Sequence, residues 1–259
     1  MLLNYKQVGL WAVVIVVAVL GALWYRQAPS PIAAQSPQKE IVLPIVWNDY
    51  GTQMQKLDII DAEKMPVTIS GPRITMTKEN SHELLNLFWA FGLANKNQIL
   101  EQGPMMDPRY GGAKGFASTG GWSLAVGDPM DHYNMYAMVT LTADQQALVE
   151  RVSRGIYRPC CDNSTYFPDC NHGMAMLGLL ELMAAQNVSE QDMYKNALGV
   201  NQFWFPKQYT VIGQYLAKQK IAASPKEILS AQYSSASGYA KVVAALQPKQ
   251  QSVDGSCGV

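Results

Sequence analysis

Residues 142–205 read TADQQALVERVSRGIYRPCCDNSTYFPDCNHGMAMLGLLELMAAQNVSEQDMYKNALGVNQFWF. Thr142 and Gln145 have the spacing of a capping box, in which a hydroxyl and an amide side chain satisfy each other's backbone N–H groups at a helix start. Leu148, Val149, Val152 and Ile156 then recur at helical period and form one apolar stripe. Pro159 ends that pattern, because the residue before a proline is pushed out of the helical region. After a polar loop, Met176, Leu177, Leu180 and Met183 predict a second helix over about Gly173 to Gln186. Ser189 and Asp192 predict another N-terminal cap, opening a third helix through Met193, Ala197, Val200 and Phe203. The stretch therefore reads helix, loop, helix, helix.

The same period continues outward. Ser81 caps a predicted helix through Leu84, Leu85, Leu87, Phe88 and Phe91 that ends near Asn95. Further helical stretches are expected at Tyr209–Lys218 and Tyr239–Leu246. Strand signals are few. Ile41 to Val46 carries Pro44 and suits only an edge strand. Val67-Thr68-Ile69 and Ile74-Thr75-Met76 flank a Gly71-Pro72 turn and suggest a hairpin. Gly103 to Gly121 reads as a long ordered loop. It lacks the Gly-Lys-Ser/Thr ending of a phosphate loop and no strand leads into it as in a dinucleotide fold. The fold class is mainly α: a helical domain with a Cys/His loop between two helices and little strand, preceded by one transmembrane helix.

That leading helix is read from Val8 to Tyr25, which holds no charged residue. Eighteen helical residues reach about 27 Å, close to the ~30 Å of a hydrocarbon core. Trp11, Trp24 and Tyr25 sit near its two ends, and Lys6 and Arg26 bracket it. A cleaved signal peptide is the alternative, with Ala33-Ala34 as the small-residue site, although its apolar region is usually shorter. Residues 26–40 form a Pro/Ser linker suited to holding a domain off a bilayer. The expected plan is a flank at 1–7, an anchor at 8–25, the linker at 26–40, an α-rich domain at 41–247 on the extracytoplasmic side, and a tail at 248–259.

Composition narrows the function. Lys+Arg and Asp+Glu both number 20, so the basic excess of a nucleic-acid binder is missing. Charged residues are 15% and hydrophobic residues 48%, which argues for an ordered domain. There is no Gly-x-Ser-x-Gly elbow and no His-Glu-x-x-His, so a binding role is favoured over hydrolysis.

Three of the four cysteines fall together as Cys160, Cys161 and Cys170, with His172 two residues on. Cys160 and Cys161 would come from one helix end and Cys170 and His172 from the next helix start. Three thiolates and an imidazole complete a tetrahedral shell for zinc, while added thioethers, here Met174 and Met176, favour copper(I). Adjacent cysteines bind one ion only with strain, or bridge two. Two other readings stay open. One is a disulfide from Cys170 to Cys160 or Cys161, with Cys257 available to the odd thiol. The other is a redox-active pair, its thiolate favoured by the second helix's N-terminus and His172 acting as base or orienter. A second soft patch, His132, Met135 and Met138, would align on a helix and reads as packing.

The order of helix, Cys loop, helix and Ser189-Glu190-Gln191-Asp192 helix start resembles CcmH-type cytochrome c maturation proteins, which are membrane-anchored modules that handle apocytochrome thiols and haem. They carry Cys-x-x-Cys where this chain has Cys160-Cys161. Pro159-Cys160 and Asp169-Cys170 are also similar to the Pro-Cys-Tyr-Cys-Gly-Cys motif of lipoproteins taken to bind metal. Both resemblances cover about a quarter of the chain, and the whole resembles a bacterial membrane-anchored family. The expectation is a single-pass membrane protein whose outer domain binds a soft metal, copper, zinc or an iron species, with copper or zinc foremost. The alternatives are a thiol-disulfide or cytochrome-assembly factor with a membrane-associated protein partner, Cys160 or Cys161 attacking and Cys170 resolving, and an adaptor with a structural disulfide.

Overall fold

The computed structural model describes residues 39–64, 73–120 and 124–247. The anchor read at 8–25, most of the linker, the piece Val67-Thr68-Ile69 with its Gly71-Pro72 turn, and the tail with Cys257 lie outside the described residues. Among the described residues, no helix is long and apolar enough to cross a membrane.

The chain is mainly helical. Its one described sheet has two antiparallel strands, β1 (Glu40–Val46) and β2 (Arg73–Thr77). Ile41 pairs with Met76 and Val42 with Thr75, and the register slips between Val42 and Val46. Pro44 lies in that slip, where a residue without an N–H breaks no ladder bond. The Ile74–Met76 strand signal is thus real, but its partner is the distant β1. A short helix, α1 (Tyr50–Lys56), follows β1.

Asn80, not Ser81, caps α2 (Ser81–Ala94). The Asn80 side chain accepts from the Thr77 N–H at 2.8 Å and donates to the Thr75 carbonyl at 2.9 Å, so it ties β2 to the helix. Ahead of the stretch read as loop comes α3 (Gln98–Gln102), and within that stretch residues 103–120 fold into three short 3-10 turns and α4 (Ala117–Gly120). Then come α5 (Ala143–Gly155), α6 (Asn171–Ala185), α7 (Glu190–Trp204) and α8 (Pro206–Gln219). The chain closes with α9 (Pro225–Ile228), α10 (Ala231–Ser234) and α11 (Ala236–Leu246). The capping box at Thr142 and Gln145 is formed, and Ser189 caps α7 by accepting from the Asp192 N–H.

The core is built around α6. Every residue from Gly173 to Ala184 is buried, which fits a helix that is apolar on all faces. It crosses α2 at contact distance. A Cβ on Gly92 would collide with the Met174 carbonyl, and one on Gly178 would lie 2.6 Å from the Phe88 carbonyl and 2.8 Å from the Gly92 Cα. Beyond this crossing, Trp47 packs edge-on against Phe88 at 6.0 Å, and Tyr50 against Phe91 at 5.4 Å. At the far end of α6 the Gln186 amide accepts from the Val46 N–H at 2.7 Å and donates to the Val46 carbonyl at 3.0 Å. It thereby acts as a short extra strand beside β1.

A carboxyl group is buried in this core. Glu181 is 0% exposed, and burial pushes its carboxyl well above the ordinary range. Asn95 Nδ2 donates to its Oε2 at 2.7 Å, while Asn95 Oδ1 accepts from the Val139 N–H. The soft patch is not helical. Asn134 has φ of 57°, and the backbone N–H groups of Asn134 and Tyr136 bond to the carbonyls of Leu93 and Ala94. His132 meets the Val126 carbonyl through Nε2 and the Tyr136 hydroxyl through Nδ1, whereas Met135 is exposed. The packing reading therefore fits the histidine and does not extend to Met135.

Candidate metal centre

The Cys loop runs from Ile156 to Cys170, between α5 and α6. Its shape is set by its own backbone. The Thr165 N–H bonds to the Ile156 carbonyl at 2.8 Å and the Tyr166 N–H to the Ser153 carbonyl at 3.2 Å, folding the loop back on the end of α5. The Arg154 guanidinium lies 3.4 Å above the Tyr166 ring centroid and clamps the fold, a cation–π contact. The C-terminal helices hold the other side. The Ala236 N–H bonds to the Cys161 carbonyl at 3.0 Å, the Ser237 N–H to Asp162 Oδ1 at 2.8 Å, and the Tyr157 N–H to the Leu229 carbonyl at 2.8 Å. From α4, the Ser118 N–H reaches the Asp169 carbonyl, and Phe167 packs on Tyr110 and Phe116.

This enclosure gathers the sulfurs. Cys160 Sγ is 3.8 Å from Cys170 Sγ and 4.0 Å from Cys161 Sγ. Ligand atoms of Cys160, Cys170 and His172 lie within 4.8 Å of one another, as do those of Cys161, Asp169 and Cys170. Cys170 belongs to both groups. It is the N-cap of α6 and His172 is that helix's second residue, as the sequence pattern suggests. Cys160 and Cys161 differ from expectation: α5 ends at Gly155, so they sit on a turn of the loop and not on a helix end. The His172 ring is wedged against Phe205, 4.5 Å between centroids, and Trp204, 5.7 Å. Met174 and Met176 are 0% and 1% exposed within the apolar packing of α6.

Arg158 had no role assigned from sequence, yet it organises the centre. It is 1% exposed, and its guanidinium donates four hydrogen bonds. Nε gives to Cys170 Sγ at 2.9 Å, Nη1 to the Asn163 carbonyl at 3.0 Å, and Nη2 to the Phe167 carbonyl at 3.3 Å and to Asp169 Oδ1. Asn163 Nδ2 holds the other Asp169 oxygen at 2.8 Å. Gly173 makes the room, since a Cβ there would stand 2.5 Å from Nη2 and 2.6 Å from Cζ. A signal was present in the sequence, because Arg158 and Asp169 immediately flank the cysteines as Arg158-Pro159-Cys160 and Asp169-Cys170.

The three thiols are not equivalent. Hydrogen bonds from Cys160 and Cys161 hold Cys170 well below the ordinary thiol range, aided by His172 and by the charge of Arg158 against the opposing effect of burial. Cys160 is driven up by its hydrogen bonds to Cys161 and Cys170 and by burial. Cys161 is pulled down by its bond with Cys160, but the bond with Cys170 and burial outweigh this, and it is pushed up to about 11. Of the three, Cys170 is the sulfur most favoured as thiolate, beside the buried Arg158 and at the positive end of α6.

All three carry free thiols. The arrangement can hold a soft ion, since it joins sulfur and imidazole donors within bonding reach of one point. No family model, curated protein or solved structure matches the chain.

Proposed function

We propose that this protein is a membrane-anchored, extracytoplasmic domain that binds one soft metal ion, copper or zinc, through Cys160, Cys170 and His172. The observation that carries the reading is the spacing of the sulfurs. Two thiolates about 2.3 Å from one tetrahedral ion stand about 3.8 Å apart. Cys160 and Cys170 stand 3.8 Å apart, which matches that spacing. Asp169 is set aside, because Arg158 and Asn163 already engage its two oxygens. The apolar run at 8–25 and the Pro/Ser linker support the anchored placement.

The test is elemental analysis of the full-length protein, purified under reducing, anaerobic conditions, beside a Cys170→Ser, His172→Ala double variant. One equivalent of copper or zinc in the parent, lost in a variant with an unchanged helical circular dichroism spectrum, is the expected result. Absence of metal from both proteins after reconstitution with either ion would overturn the reading.

A further inference from the structure

We propose that Cys160 and Cys170 close to a disulfide by exchange with an external organic disulfide, and that this closure dismantles the metal centre, so that the ion is held only while the pair is reduced. The inference rests on the metal-binding reading above and adds its control.

The geometry separates the two sulfurs by role. Cys160 is exposed, and it is the sulfur that an external disulfide reaches first. Cys170 is half-buried and fixed: its carbonyl accepts the Met174 N–H at 2.9 Å, and its sulfur receives Arg158 Nε at 2.9 Å. Arg158 is here a positioning residue. The two sulfurs stand 3.8 Å apart and must approach to about 2.05 Å, a movement that rotation of the exposed Cys160 side chain can supply. Cys161 is a poor partner for Cys160. A disulfide between sequence neighbours closes an eight-membered ring that strains the intervening peptide, and the Cys161 backbone is tied at both its N–H and its carbonyl.

The exchange is balanced as follows. The exposed Cys160 thiol passes its proton to Cys170 Sγ, 3.8 Å away, and its sulfur attacks one sulfur of the disulfide RSSR. A Cys160–SR bond forms, the S–S bond breaks, and RS⁻ leaves. The first RS⁻ takes that proton from Cys170, whose sulfur then attacks Cys160 Sγ and expels the second RS⁻, which is protonated by solvent. The protein loses two electrons and RSSR gains them. The second step is intramolecular between groups already in contact, which makes it fast. Once the bond has formed, neither sulfur is a thiolate. Cys161 and His172 are left as soft donors, and the Asp169 oxygens stay engaged with Arg158 and Asn163. Conversely, an ion bound to Cys160 occupies the attacking sulfur and protects the pair.

The experiment uses the full-length protein loaded with cadmium(II), a thiophilic ion that does not itself change oxidation state. Oxidised glutathione is added, and bound cadmium and disulfide connectivity are followed by elemental analysis and peptide mapping. The expected result is loss of the bound ion together with a Cys160–Cys170 bond, reversed by dithiothreitol. The bond should form faster in metal-free than in loaded protein. Cys161→Ser should still form it, whereas Cys160→Ser should stop at no intramolecular bond. Cadmium that stays bound in oxidised protein, or a bond mapped to Cys161, would overturn the control while leaving metal binding intact. A Cys160–Cys170 bond in a protein that never takes up cadmium would overturn both the control and the metal-binding reading.

Discussion

Arg158 owes its position to an atom that its neighbour lacks. With a hydrogen in place of a methyl group, Gly173 leaves the guanidinium a slot against the start of α6, and four acceptors converge on it there. A methyl at this site must displace either the helix or the guanidinium, and overpacking of this kind costs about 1–3 kcal/mol. Gly173→Ala is therefore expected to lower the unfolding free energy by about that amount, seen as a lower urea midpoint, and to weaken retention of the ion. An unchanged midpoint would show that the slot is not tight. Glu181 makes a second prediction at this scale. Its carboxyl has a folded-state pKa raised above the unfolded value, so its contribution is fully present below the unfolded pKa and is lost as pH rises through the folded one. The protein should accordingly lose stability as pH rises above the ordinary carboxylate range, and Glu181→Gln, which keeps the shape without the titration, should flatten that dependence. Parallel pH profiles of the two proteins in urea denaturation would sink the idea.

At the scale of elements, the crossing of α2 and α6 depends on two small residues, Gly92 and Gly178. Gly178→Ala would press a methyl against the Phe88 carbonyl and the Gly92 backbone, all of it rigid main chain. The expected loss is again about 1–3 kcal/mol, at the upper end because no side chain can turn aside. Thermal unfolding measures it, and a variant as stable as the parent would mean that the helices can separate freely. This crossing was not legible in the sequence, although the helices were. Thr142 with Gln145 and Ser189 with Asp192 carry their caps locally, so α5 and α7 could be placed from spacing alone. Non-local partners could not. Ile74–Met76 shows strand chemistry, but nothing nearby names Ile41 as its mate. Asn80 took the cap from Ser81 because β2 supplied it with a backbone to bind. Short helices such as α1 and α3 have too few turns to show a period, and the Asn134 backbone turned left-handed where an aligned helix was expected.

At the scale of the molecule, the thiols and the imidazole were visible as a cluster in the sequence, while the buried salt bridge that arranges them was not. Arg158 and Asp169 read as ordinary polar loop residues until α4, α6 and the C-terminal helices close over them. The centre is thus a product of the whole chain: one sulfur comes from a helix cap, two from a loop turn, and the walls come from segments more than seventy residues apart in sequence, as the Ser237 to Asp162 contact shows.

The Gln186 amide that grips Val46 has a mechanical consequence. Any pull on the chain ahead of Glu40 enters the fold through β1, and the paired bonds at Val46 share that load with the rungs to β2. From there it passes to the C-terminal end of α6, some 15 residues or about 22 Å from the cap where Cys170 sits. Load carried by β1 is thus delivered to α6 at its C-terminal end, while the thiols stand at the opposite end of that helix.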